Sequence, residues 1–112
     1  MKAQFLKNDR YILSCSADNT IRMWDIKTKN ELKQFKDHSG AVTDVKTFPN
    51  DELTMISSSF DSTIRLWDIQ LDVETQNIKM LSEGIIMIDV SFDGNTIAIS
   101  LNDKTIQLWG LL

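Results

Sequence analysis

Several scarcities limit what this chain can be. It holds one cysteine, Cys15, so no disulfide forms within it, and a lone thiol fits a reducing compartment. Its one histidine, His38, has no paired ligand spacing with Cys15 or the nearby aspartates, so neither a metal centre nor a cofactor site is expected. No apolar run approaches the ~18 residues a membrane span needs. The opening MKAQFLKNDR carries no apolar core of signal-peptide length, and the expected compartment is intracellular, cytoplasmic or nuclear. Basic residues are in the minority, 12 against 16 acidic, for a net charge of −4. Phosphate-binding surfaces depend on clustered Lys and Arg, so direct nucleic-acid binding is not expected. The densest basic stretch, KTKNELKQFK at 27–36, is interrupted by Glu31 and followed by Asp37. It reads as a solvated strand face, with an acidic partner as the alternative. Helical patterning is missing too, since no segment holds apolar residues at i, i+3, i+4 and i+7 over a useful length.

What the 112 residues do contain is one phrase written three times: DNTIRMWD at 18–25, DSTIRLWD at 61–68 and DKTIQLWG at 103–110. Trp24, Trp67 and Trp109 are spaced by 43 and 42 residues, and Asp18, Asp61 and Asp103 keep the same intervals. A fixed period of about 40–45 residues is a signature of repeat architectures, propeller blades among them. With 42% hydrophobic and 25% charged residues, the composition is that of an ordinary globular chain large enough for a core.

Within one period the pattern predicts short strands. AVTDVKTF (41–48) and LTMISSS (53–59) are β-rich runs joined by a turn at Pro49 and Asn50, and STIRLWDI (62–69) follows a tight corner at Phe60-Asp61. A fourth run, ELKQFK (31–36) or NIKMLS (77–82), completes the unit, and FDGNT (92–96) carries an Asp-Gly hairpin signal. Neighbouring apolar residues such as Ile12 and Leu13, or Met55 and Ile56, point to opposite faces of a strand, as do Ile64 and Trp67. A simple sandwich wets one face of each sheet. Sheets that are apolar on both sides need a neighbour on each, and radially stacked four-stranded blades provide one.

On these residues the chain resembles the WD-repeat (WD40) β-propeller family over essentially its whole length. KDHSGAVTDV in the middle unit is similar to the family's Gly-His opening, with Asp37 in place of the glycine. The resemblance implies an all-β fold, a partial β-propeller of about three four-stranded antiparallel blades at 1–36, 40–82 and 85–112, the first and last incomplete. It also implies a structural hydrogen-bonded set of His38, Ser57 (or Ser59), Asp61 and Trp67. The first unit retains Ser14, Asp18 and Trp24. The third retains Asp103 and Trp109, but Ile99 and Leu101 stand at its serine positions and Ser82-Glu83-Gly84 opens it without a histidine. The third blade is therefore expected to be the less rigid. A hydrolytic reading of Ser57, His38 and Asp61 needs an exposed nucleophile beside an oxyanion hole. The serine sits mid-strand, without a Gly-x-Ser-x-Gly turn, and no catalysis is expected. Cys15 reads as a small core residue.

Phe5 precedes Asp18 by the same interval as Phe48 precedes Asp61, which places Met1 inside a first strand, while Leu112 falls just past a third. The expectation is the C-terminal part of a larger propeller or, alternatively, a module that completes its ring by association. Either way the isolated chain is expected to self-associate or to accept the missing blades. For the family, function means a rigid non-catalytic scaffold that binds proteins or peptides on the narrow face around the channel. The matching positions are Ala41, Thr43 and Phe60 in the middle unit, and Ala17 in the first. In the third they are Ile85, Met87 and Asn102, if Gly40 pairs with Gly84 and Phe48 with Phe92. Alternatives are the regulatory end of a larger signalling protein or enzyme, or a subunit of a nucleic-acid-processing assembly.

Overall fold

A computed structural model describes residues 2–6, 10–49, 51–80 and 84–110. Its strands are β1 (Lys2–Phe5), β2 (Tyr11–Cys15), β3 (Ile21–Asp25), β4 (Asn30–Phe35), β5 (Val42–Phe48), β6 (Asp51–Ser59), β7 (Thr63–Asp68), β8 (Val73–Lys79), β9 (Ile85–Val90), β10 (Thr96–Leu101) and β11 (Ile106–Gly110). They pair antiparallel in three sheets, in the orders β1-β2-β3-β4, β5-β6-β7-β8 and β9-β10-β11. The first sheet opens on a short strand of 4 residues, where the second has 7. The third has three strands among the described residues. No helix among those residues is long and apolar enough to cross a membrane. Met1, Ser82, Glu83 and Leu112, which figure in the expected blade limits, lie outside the described residues.

The repeated phrase folds as a corner followed by a strand. At each copy the Asp carboxylate accepts the backbone N–H of the Thr two residues on, at 3.1, 2.9 and 3.0 Å for Asp18, Asp61 and Asp103. The same oxygen accepts that threonine's hydroxyl at 2.5 Å in all three. The residue between is left-handed: Asn19, Ser62 and Lys104 have φ of 74°, 69° and 70°. A left-handed residue with a side chain costs roughly 1–2 kcal/mol, and the two carboxylate bonds offset it. The corner thus explains why aspartate and threonine recur together.

Both faces of the middle sheet are covered. On one side Val45, Met55, Trp67 and Ile69 join Leu13, Cys15, Ile21, Met23 and Phe35 of the first sheet in one core. On the other, Ile56 and Ile64 join Ile85, Ile88, Ile97, Ile99 and Leu101 of the third. Each such side chain contributes roughly 1.5–3 kcal/mol on burial, so the two cores are the main attraction between sheets. The adjacent pairs Met55/Ile56 and Trp67/Leu66 are divided between the two cores, as a pleated strand requires.

Polar bridges add register to this packing. Gln4 and Thr47 exchange two hydrogen bonds between β1 and β5, at 3.0 and 3.3 Å. The Lys33 ammonium donates to the Ile69 carbonyl at 2.7 Å, and the Thr43 hydroxyl donates to the Ile85 carbonyl at 3.0 Å. Asp44 links all three sheets. Its carboxylate, 1% exposed, accepts the Ile88 N–H at 3.0 Å and lies 3.5 Å from the Lys2 ammonium.

The structure corrects one alignment. Phe60 N–H donates to the Ala41 carbonyl, and Asn102 N–H donates to Gly84, so Gly84 is the counterpart of Ala41 and not of Gly40. Ile85 then corresponds to Val42, Ile86 to Thr43 and Met87 to Asp44. Both strands carry a β-bulge at the same point, past Val42 in β5 and past Ile85 in β9, so the strands align by their pairings and not by their entry glycines.

Candidate functional site

Two constellations compete for the role of a site, one buried and polar, the other open and apolar. The buried one is built on His38, held at the entry to β5 against the corner before β7. Its ring meets Ser57 Oγ through Nε2 at 2.7 Å and Asp61 Oδ2 through Nδ1 at 2.8 Å. Trp67 Nε1 lies 2.8 Å from the same Ser57 oxygen. Donor logic fixes the proton order. The indole N–H can only donate and the carboxylate can only accept, so Nδ1–H donates to Asp61, and Nε2 accepts the Ser57 hydroxyl, which in turn accepts from Trp67. Ser57 is therefore the expected partner, while Ser59 serves the backbone: its hydroxyl donates to the Gly40 carbonyl and accepts the Asp61 N–H.

Electrostatics follows from this order. Burial pushes the His38 imidazole below its ordinary 6.5, although the Asp61 carboxylate opposes the shift. A second ring proton would point at Ser57 Oγ, which already accepts from Trp67 and has no exposed surface on which to redirect its own hydrogen. Burial pushes the Asp61 carboxyl up, but hydrogen bonds from Thr63, His38 and the Ser39 N–H outweigh it and hold the group at about 2. The atoms joined are those of a hydrolytic triad. Yet Ser57 is 0% exposed and its oxygen is committed to an indole, so no substrate carbonyl can reach it. Among the described residues, no group of three His, Cys, Asp or Glu could hold a metal ion.

The sequence reading missed Thr63. Its hydroxyl lies 3.2 Å from His38 Nδ1 and donates to Asp61, and it accepts from Arg65 Nε at 3.1 Å. The signal was present, since threonine follows the aspartate by two in all three copies. The flanking blades keep fragments of the set. Trp24 donates to Ser14 at 3.0 Å, but Asp18 turns to Thr20 and Arg22 instead of joining them. Trp109 donates to Gln107 at 3.0 Å, and Asp103 bonds only its own corner. Ile99, fully buried, occupies the position of Ser57.

The open constellation lies at the inner ends of the blades. Ala17, Ala41, Thr43, Phe60 and Met87 line one cleft of about 350 Å³, together with Lys2, Val42 and Ile86. Phe60 is 54% exposed and Met87 45%. Asn102 is exposed at the third corner but does not line this cleft. Ile85, expected here, is 0% exposed in the second core, because the bulge turns Ile86 outward in its place. The glycine at each blade entry is a matter of space: a Cβ on Gly40 would sit 2.8 Å from Asp61 N, and one on Gly84 (φ +74°) 2.6 Å from Asn102 Cβ.

Antiparallel sheets packed face to face, each turning an Asp-x-Thr corner into a third strand that bears a Trp, define a β-propeller repeat protein. The family model described as "WD domain, G-beta repeat" matches residues 2–25 and 29–68, more than half of the chain, which therefore belongs to the WD40 family. The chain is 62% identical over 29 residues to an F-box protein of Saccharomyces cerevisiae, a match covering 26% of the chain and 4% of that protein. It is 38% identical over 43 residues to a guanine nucleotide-binding protein subunit beta of Dictyostelium discoideum, covering 38% of the chain and 12% of the relative. Both matches thus span a small fraction of the relatives' own length. The crystal structure of the WD40 β-propeller domain of Doa1 shares the fold, with a TM-score of 0.88 at 23% identity over 99% of this chain and 36% of that one.

Proposed function

We propose that this chain is a non-catalytic scaffold segment that binds other proteins or peptides through the cleft at the inner blade ends. The observation that carries the reading is the exposure of Phe60 and Met87, at 54% and 45%, on a surface shared by all three sheets. Large side chains held open on a rigid frame are the usual anchors of protein interfaces. Their support is stiff. Phe60 directly precedes Asp61, whose carboxylate is fixed by His38, Thr63 and the Ser39 N–H. Membership of a family that includes an F-box protein and a G-protein subunit agrees with assembly work, whereas the net charge of −4 disfavours direct nucleic-acid binding.

A photo-crosslinking residue placed at position 60 tests this in cells. Discrete protein adducts are expected there, and none from the same residue at Leu71, which is 67% exposed on the β7–β8 turn at the far end of the strands. Adduct patterns that do not differ between the two positions refute the proposal.

A further inference from the structure

Among the described residues, Lys2 is the one charged side chain lining the cleft, and the other lining residues are apolar apart from Thr43. Its side chain is 36% exposed, and its ammonium lies 3.5 Å from Asp44. That distance is long for a charged hydrogen bond, and a carboxylate can satisfy only part of an ammonium's three donors. Asp44, meanwhile, is nearly saturated, since its oxygens take the Val45 N–H at 2.9 Å and the Ile88 N–H at 3.0 Å. The other carboxylates adjacent in sequence to the lining are engaged elsewhere, Asp18 with Arg22 at 2.8 Å and Asp61 with His38 at 2.8 Å. So a buried anion fixes a cation at the mouth of an apolar cleft and leaves it donors to spend. The Thr43 hydroxyl is committed to Ile85 and Ser58, and offers little competing polarity.

We infer that the cleft takes a peptide segment carrying a bulky apolar side chain beside a carboxylate. The apolar group fills the space between Phe60, Ile86 and Met87, and the carboxylate meets Lys2. This rests on the cleft being a binding surface, as proposed above, and adds the chemistry of the ligand. Asp44 is then a positioning residue, since it fixes both Lys2 and the β9 bulge that presents Ile86 and Met87.

The test uses the full chain and three labelled peptides of Gly and Ser with a central Leu followed by Glu, by Gln or by Lys. Titrations are read by fluorescence anisotropy. The Glu peptide is expected to bind about fivefold tighter than the Gln peptide and at least tenfold tighter than the Lys peptide, the range of a partly screened ion pair. Higher salt should weaken only the Glu peptide's advantage. Phe60→Ala should weaken all three about tenfold. Lys2→Met should erase the ranking by charge and Lys2→Arg should keep it; the arginine variant and the salt series guard against a fold lost by orphaning Asp44. Equal binding of the three peptides with Phe60 dependence intact overturns the carboxylate and leaves the cleft standing. Preference for the Lys peptide, or no binding at millimolar peptide, overturns the inference outright.

Discussion

Removing a single oxygen from Ser57 distinguishes a structural network from an ornamental one. Ser57→Ala takes away the acceptor of the Trp67 N–H, at 2.8 Å, and the donor to His38 Nε2, at 2.7 Å, in a spot with no exposed surface. Water cannot replace it there, so two buried polar atoms are left unsatisfied at about 1–3 kcal/mol each. A loss of ~3 kcal/mol is expected, a large share of the ~5–15 kcal/mol that holds an ordinary domain together. Ser14→Ala is the internal control. Ser14 accepts the Trp24 N–H at 3.0 Å, but serine and indole are both half-buried, so water can satisfy the orphaned donor and the loss should be about 1 kcal/mol or less. Urea unfolding followed by tryptophan fluorescence measures both, with unchanged m-values showing that the folded state is the same. A cycle with His38→Leu should show coupling, since that change removes one of the two orphans. If Ser57→Ala costs no more than Ser14→Ala, the buried set does not stabilise the blade and the reasoning fails.

Four other outcomes follow from the same geometry. Stability should be flat above about pH 7 and fall as the pH drops below 6.5, because the unfolded chain protonates His38 while the folded one resists it; urea midpoints across pH check this, and His38→Leu should flatten the slope. A further fall is expected between the ordinary carboxyl value of 3.8 and about 2, where Asp61 loses the charge its folded-state bonds favour; Asp61→Asn should shrink that step, the remainder coming from Asp18, also held at about 2, and from the lowered Asp25, Asp93 and Asp103. Hydrogen exchange should be faster in β10 and β11 than in β6 and β7, since the third sheet lacks the histidine network and Ile106 and Leu108 on β11 are 71% and 72% exposed; equal protection contradicts this. Those same two side chains should drive self-association of the isolated chain, and Ile106→Lys with Leu108→Lys should shift sedimentation towards the monomer; a wild-type chain that stays monomeric at high concentration refutes it.

The repeated parts of this fold were legible because repetition is visible without knowing any contact. Three Asp-x-Thr phrases marked the corners, and paired apolar neighbours such as Met55 and Ile56 marked strands covered on both faces. Outer strands were harder. β8 begins at Val73, four residues before the run at Asn77 that suggested it, because the stretch Val73–Gln76 lies largely exposed and carries no alternation to read. The bulge in β5 and β9 was invisible, since an extra residue within a strand leaves no mark in composition while it keeps Ile85 inward and sends both Ile86 and Met87 outward. Thr63 was overlooked because its role comes from a ring 25 residues away in sequence, although its place two after the aspartate was in plain sight. Lys2 and Asp44, from different repeats, carry no common motif, so only the fold brings them within 3.5 Å.

Where the complete network stands, in the middle blade, its surroundings suit it. A buried polar chain is advantageous only where its members are sealed and satisfied, because a half-satisfied one is worse than an apolar core. Trp67 is sealed by its neighbour: Phe35 of the first sheet packs edge-on against it, ring centres 5.5 Å apart, leaving it 2% exposed. Trp24 of the first blade, by contrast, is only half-buried. In the third sheet, isoleucine takes the serine position and the indole turns aside to Gln107, so among the described residues no side-chain polar atom is left buried without a partner. The rigid corner that results in the middle blade is the one bearing Phe60. The same bonds that make Ser57 and His38 unfit for chemistry thus hold in place the side chain on which recognition rests.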